Sequence, residues 1–232
     1  GNFSVNPMTD GSTSYFHQSI GGYHAAKMMR YQELFEYQIA KNNMQVLNML
    51  NTKYFIVDND KGEKQAQQNP DANGNAWFVE NVKVVNSANS ELQILDSLNT
   101  KMSAVLDKSK LLDNVNFNFE KDSTATIKLI NYDVTELTYR TKTEKEQFVV
   151  FSEIYYKDGW NAYIDGKLTN HFRVNYVLRG MKVPAGEHEI EYKFEPKVIQ
   201  QGGMISLFSY ISIILVFVVW FFYGKKTRGE LI

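Results

Sequence analysis

Residues 204–223, MISLFSYISIILVFVVWFFY, contain no charged side chain, and GKKTRGELI follows at once. A helix rises about 1.5 Å per residue, so a stretch of this length covers the roughly 30 Å hydrocarbon core of a bilayer. A helix that is apolar on every face has no polar side to turn to water, so the chain is expected to carry a transmembrane helix here rather than a buried core helix. Trp220 and Tyr223 stand at its far end, where interfacial aromatic anchors are expected. Lys225, Lys226 and Arg228 come after the span, whereas PKVIQQGG before it contains only Lys197. The positive-inside rule then puts the tail at 224–232 in the cytoplasm and the residues before 200 on the other side of the membrane.

The 232 residues leave room ahead of the span for two modest domains or one large one. With 25 Lys and Arg against 26 Asp and Glu the net charge is −1, and no basic stripe interleaved with aromatics offers a nucleic-acid surface. Cysteine is absent, which excludes disulfides, thiolate catalysis and cysteine-ligated zinc. The opening GNFSVNPMTDGSTSYF has neither the basic nor the apolar part of an export signal. A domain outside the cytoplasm needs such a signal or an earlier span, so the chain is expected to be part of a longer membrane protein.

Two regimes of hydrophobic spacing divide what precedes the span. After a Gly-, Ser- and Asn-rich loop ending at Gly21-Gly22, a helix is expected from His24, with Met28, Tyr31, Phe35 and Ile39 at spacings of three and four and a stop at Asn42-Asn43. MQVLNML reads as a second short helix, KYFIVD (53–58) as a strand, 58–75 as a polar excursion and WFVENVKVV (77–85) as one strand. NSELQILDSL (89–98) reads as a helix capped by Asn89 or Ser90. Beyond Asn99–Ser103, the expected domain seam, the period shortens. STATIKLIN, VTELTYRTK and EQFVVFSEIYY alternate or run apolar without internal Gly or Pro, Asp158-Gly159 and Asp165-Gly166 mark turns, and Pro184-Ala185-Gly186 predicts a hairpin between YVLRGMKV and EHEIEYKF. The expected fold is therefore α+β: an α+β segment over 1–99, an antiparallel β-sandwich over 100–199, then one membrane helix.

Several of these stretches carry a resemblance. YFHQSIGGYHAAKMMRYQEL (15–34), NMQVLNMLNTKYFIV (43–57), GNAWFV (74–79), YYKDGWNAYIDGK (155–167) and NYVLRGMKVPAGEHEIEYKFEP (175–196) are similar to the C-terminal part of the bacterial membrane-protein family called YfhO. The resemblance implies a polytopic parent like the GT-C glycosyltransferases that use lipid-linked sugars, with an extracytoplasmic domain near its C-terminus. In such enzymes the catalytic acids lie in the first extracytoplasmic loop, far upstream, so no catalytic residue carries over onto this sequence.

One segment has a chemical argument of its own. Gly21-Gly22 lets backbone approach a ligand, a helix start behind it presents free N–H groups, and His24, Lys27, Arg30 and Tyr31 supply donors, so this grouping is a candidate seat for a phosphate of a polyprenyl-phosphate sugar. The competing reading makes Gly21-Gly22 a bend, Lys27 and Arg30 solvated and Tyr31 core. Trp77 and Trp160 are candidates for stacking on a glycan, against the usual fate of strand tryptophans as core. No metal or cofactor is expected: His17 and His24 have no carboxylate between them, and Asp58-Asn59-Asp60-Lys61-Gly62 brings its Gly too early for a calcium loop.

The role expected is that of an extracytoplasmic region supporting substrate positioning or domain packing, with a tethered carbohydrate-binding module or a purely structural docking domain as alternatives. Its partners are then the bilayer, the parent's remaining spans and a lipid-linked sugar or glycan. The topology is directly testable: a reporter fused after Ile232 is expected in the cytoplasm and one inserted at 61–75 outside it, and opposite labelling would reverse the assignment.

Overall fold

The computed structural model describes residues 11–23, 25–110, 117 and 119–229. The first helices are short: α1 (Ser12–Phe16), α2 (Met29–Tyr37) and α3 (Met44–Met49). Helix α2 begins later than the expected start at His24, because Met28 is still extended and residues 25–27 are exposed, with no core to hold them helical. The stop falls where expected. Asn42 takes the left-handed conformation that Asn tolerates, and the Asn43 side chain accepts from the backbone N–H groups of Gln45 and Val46 to cap α3.

Strand β1 (Tyr54–Asp58) pairs antiparallel with β2 (Lys64–Gln68), a strand hidden inside the polar excursion because all its residues are exposed. The single strand expected over 77–85 is two: β3 (Ala76–Val79) and β4 (Asn81–Val85), parted at Glu80, whose N–H goes to the Met102 carbonyl. Strand β4 then leads through α4 (Ala88–Ile94) to β5 (Ser103–Asp107), which lies parallel to it. This crossover was not legible as such, and α4 is capped by Ser87 rather than by Asn89 or Ser90.

The later strands are β6 (Thr126–Tyr132), β7 (Glu136–Thr143), β8 (Gln147–Ile154), β9 (Trp160–Ile164), β10 (Lys167–Thr169), β11 (Phe172–Val174), β12 (Leu178–Val183) and β13 (Gly186–Phe194). They form two antiparallel sheets, ordered β10-β9-β13-β7-β6 and β11-β12-β8-β3. The expected hairpin at Pro184-Ala185-Gly186 is instead an arch: β12 and β13 lie in different sheets, as do β7 and β8. The two arches stand side by side, since Gly186 pairs with Thr143 and Val183 with Gln147. Gly186 has φ 125°, and the Thr143 hydroxyl donates to the Pro184 carbonyl at 3.0 Å, which fixes the corner.

Residues 147–151 of β8 are buried without a break, so this strand has apolar neighbours on both faces. On one side Phe148 and Val150 join a cluster with Leu34, Ile39 and Val46 of the helical segment, Leu92 of α4 and Val105 of β5. On the other, Phe151 meets Tyr139 of β7 at 4.9 Å and Tyr192 of β13 at 5.0 Å, ring edge against ring face. Gly180 of β12 keeps the first side closed: a Cβ there would come within 2.6 Å of the Phe148 ring.

Packing does not divide the chain at 99–103. Thr100 is held by the Gln45 side chain and carbonyl, and its own carbonyl takes the Trp77 indole N–H, so this loop is built into the core. The contacts separate residues 1–155 and 161–193 as one unit from 156–160 and 194–232 as another. The second unit holds α5 (Lys197–Gly229), whose Lys197–Tyr223 stretch is long and apolar enough to cross a membrane and is wholly unburied. The helix thus starts ahead of the expected 204 and runs through Gly202-Gly203.

The β9–β10 turn gives a pH prediction. Asp165 and Gly166 both have positive φ, as a two-residue turn of this kind requires, and Asp165 accepts from His188 Nδ1 at 2.6 Å and from the Glu189 N–H at 2.9 Å. The hydrogen bond to Asp165 raises the His188 pKa above its ordinary 6.5, while Asp165 is held below its ordinary 3.8. The raised imidazole contributes stability present below its unfolded value and lost as pH rises through the folded one. The depressed carboxyl contributes stability present above its unfolded value and lost as pH falls through the folded one. The latch is therefore strongest from about pH 4 to about pH 6.5. In an NMR titration His188 is expected to titrate above the ordinary value and to return towards it in Asp165→Asn, a change that keeps the left-handed turn residue tolerable.

Candidate functional site

The segment proposed to hold an anion does not assemble as the spacing implied. Gly21 and Gly22 lie in a loop, with φ 127° at Gly22, but helix α2 starts only at Met29, so no helix N-terminus stands behind them. His24 lies outside the described residues. Lys27 is exposed and ahead of the helix. Tyr31 donates its hydroxyl to the Ile20 carbonyl at 2.6 Å, and burial pushes its pKa up to about 12.

Arg30 is spent elsewhere, and what it makes is the principal polar cluster on this side of the molecule. Its Nη1 donates to Glu91 Oε2 at 3.0 Å and to the Tyr176 carbonyl at 3.3 Å, and its guanidinium lies 4.4 Å from the centre of the Tyr176 ring. Glu91 of α4 is fully buried, and its other oxygen accepts the Tyr176 N–H at 3.1 Å. The Tyr176 hydroxyl closes the circuit on Glu33 of α2. Burial raises the Glu91 pKa, while the Tyr176 N–H and Arg30 pull it back. Because both oxygens accept donors, one of them charged, the geometry is that of a carboxylate.

The backbone that delivers Tyr176 is unusual. Asn175 and Tyr176 are both left-handed, at φ 49° and 73°, a conformation that is rare for tyrosine. Asn175 is clamped to β5: its N–H goes to the Val105 carbonyl and its side-chain oxygen accepts the Val105 N–H. Sequence reading missed Glu91 and Tyr176. Glu91 looks like a solvated helix residue, and nothing local announces that residue 176 reverses the chain; only the Asn before it hints at a left-handed turn.

The two candidate stacking tryptophans differ in their surroundings. Trp77 is 4% exposed and tied by its indole N–H to Thr100, which makes it core. Trp160 is partly buried, with its ring 5.4 Å from that of Phe194. Among the described residues there is also no group of three or more His, Asp or Glu placed to hold a metal ion.

Residues 115–206 match the family model described as bacterial membrane protein YfhO. This stretch is a YfhO-family region. No curated protein and no solved structure matches the chain. The YfhO match begins before β6 and ends within α5, so it takes in both antiparallel sheets apart from β3. It adds membrane association to an apolar helix that length and composition alone already suit to a bilayer.

The Arg30–Glu91–Tyr176 cluster ties helices to a sheet edge within this fold, so its loss is expected to be a stability defect. Glu91→Ala strands Arg30 and the Tyr176 N–H and is expected to cost about 3–5 kcal/mol, the scale for breaking a buried pair. Urea unfolding of the chain in detergent micelles measures it, and a loss under about 1 kcal/mol would show that water replaces the carboxylate freely.

Proposed function

We propose that the residues ahead of the long apolar helix form an extracytoplasmic domain of a polytopic YfhO-type membrane protein, whose role is to pack against that protein's membrane-embedded part. The observation that supports this is the surface of residues 15–29. Tyr15, Phe16, Tyr23 and Met29 are 82, 74, 72 and 72% exposed, within a segment where α1 makes no side-chain cap and few residues are buried. Large apolar side chains presented together in this way are normally covered by a partner. The parent's other spans are the partner of fitting chemistry, since they are apolar and belong to the same protein.

On this reading the domain packs rather than positions substrate. Arg30 and Tyr31 are consumed internally, and any transfer of a polyprenyl-phosphate-linked sugar, which the resemblance implies for the parent, takes place on residues elsewhere in it. Carbohydrate recognition has less support, because Trp77 is in the core and Trp160 packs on Phe194.

The chain has no cysteine, so a single introduced thiol reports its own position. Met29→Cys is expected to react quickly with a membrane-impermeant maleimide in this chain alone and at least about tenfold more slowly in the full parent, whereas Leu168→Cys, at an exposed position of β10, labels at equal rates in both. Equal rates for Met29→Cys would remove the docking role.

A further inference from the structure

Strand β11 carries a row of polar side chains on one side. His171 just before it and Arg173 within it are two residues apart, and alternate residues of an extended strand share a face. In register, Arg173 stands directly opposite Arg179 of β12. Like charges facing each other across a strand pair destabilise it unless opposite charge lies over them. Arg179 is held in place: its Nε donates to the Ile154 carbonyl at 3.0 Å, and its guanidinium lies 4.9 Å from the centre of the Tyr192 ring.

Arg173 is different. Among the described residues its Nε and Nη2 are buried without a hydrogen-bond partner, and so is Nε2 of His171. Those two guanidinium nitrogens point the same way along one edge, the fork that takes two oxygens of a carboxylate or phosphate side-on. The carboxylates whose charge reaches Arg173 are committed to other donors: Glu91 to Arg30 and the Tyr176 N–H, and Asp107 to the Ser109 N–H. Burial pushes His171 down to about 4, so at neutral pH its ring is uncharged and has one N–H to give. Tyr155 flanks both groups, its ring 5.1 Å from that of His171 and 6.0 Å from the Arg173 guanidinium carbon.

We propose that the free edge of Arg173, with His171 beside it and Arg179 across the strand pair, is an oxyanion site that takes a phosphate group. The two unpartnered Arg173 donors and the unpartnered His171 ring nitrogen, which donates in its Nε2–H tautomer, together match the three outer oxygens of a phosphate monoester, and the Arg173 guanidinium supplies positive charge. Tyr155, which stands beside the Arg173 guanidinium, is only partly buried. The site is separate from the packing surface at residues 15–29, so either proposal stands without the other.

Two probes distinguish where the phosphate comes from. The chain in neutral detergent is titrated with inorganic phosphate against potassium chloride at equal ionic strength, and the chain in phosphatidylcholine vesicles is compared with and without phosphatidic acid. Thermal midpoint is the readout. A rise with inorganic phosphate assigns a soluble phosphate, and a rise with phosphatidic acid alone assigns a lipid headgroup. Arg173→Gln and Arg173→Lys are each expected to weaken the response by roughly tenfold or more, because lysine keeps the charge but not the fork. Lys27→Gln, an exposed cation elsewhere, leaves it unchanged. In the unsubstituted chain the Arg173 Nε–H resonance shifts on adding the effective probe, which tests the site whether or not the variants fold. No midpoint rise with either probe, an equal rise in Arg173→Lys, or an unmoved Arg173 resonance overturns the site.

Discussion

Strand β8 has apolar groups against both of its faces, and the rest of the domain is arranged to supply them. A strand buried on one side needs one partner layer; residues 147–151, buried throughout, need two. The sheet of β7 and β13 provides one layer through Tyr139, Tyr192 and Ile190. Helices α2, α3 and α4 with β5 provide the other through Leu34, Val46, Leu92 and Val105. Fully burying a Phe, Val or Leu side chain is worth about 1.5–3 kcal/mol, so neither layer is dispensable. This explains why β3, from the first hundred residues, hydrogen-bonds to β8 from the second: the helical segment is one wall of the core and not an appended domain.

Polar contacts then fix how the helical wall sits. Gln38 of the α2 end donates to the Leu92 carbonyl, Asn43 at the start of α3 donates to the Leu95 carbonyl, and Arg30 reaches Glu91, so α2 and α3 are both tied to α4. Each of these groups is wholly or partly buried, where an unmade hydrogen bond costs about 1–3 kcal/mol. Apolar packing alone leaves a helix free to slide along its groove; these bonds specify a single register. The same logic separates Arg30 from Arg173. The first has found a carboxylate and serves the fold, whereas the second keeps an unused edge and is available to a ligand.

The fold class was legible because its strongest signals are local. The period of three and four over α2, the uncharged run that became α5 and the Asp165-Gly166 turn each depend on neighbours in sequence. Strand β2 escaped notice because both of its faces are exposed, so KQAQQ has no apolar alternation to read. The hairpin inferred at Pro184-Ala185-Gly186 failed for a different reason. A turn signal shows that the chain reverses there, but it does not say whether the next strand returns to the same sheet or crosses to another. The choice was made by β7 and β8, which had already crossed at the adjacent arch.

By itself the sequence determined the bilayer-length apolar helix, the division into a helical start and a strand-rich remainder, and the residue types available for chemistry. These follow from side-chain polarity and spacing, which are properties of the chain before it folds. Only the tertiary structure decided which polar residues have spare capacity. A sequence does not say which of Arg30, Tyr31, Arg173 and Arg179 has a donor to spare; burial beside Glu91 used the first, the Ile20 carbonyl used the second, and the pairing of β11 with β12 set the third opposite the fourth. A donor's availability depends on what lies within about 3 Å of it. Here those neighbours come from positions as far apart as Arg30 and Tyr176, and no local pattern records such a meeting.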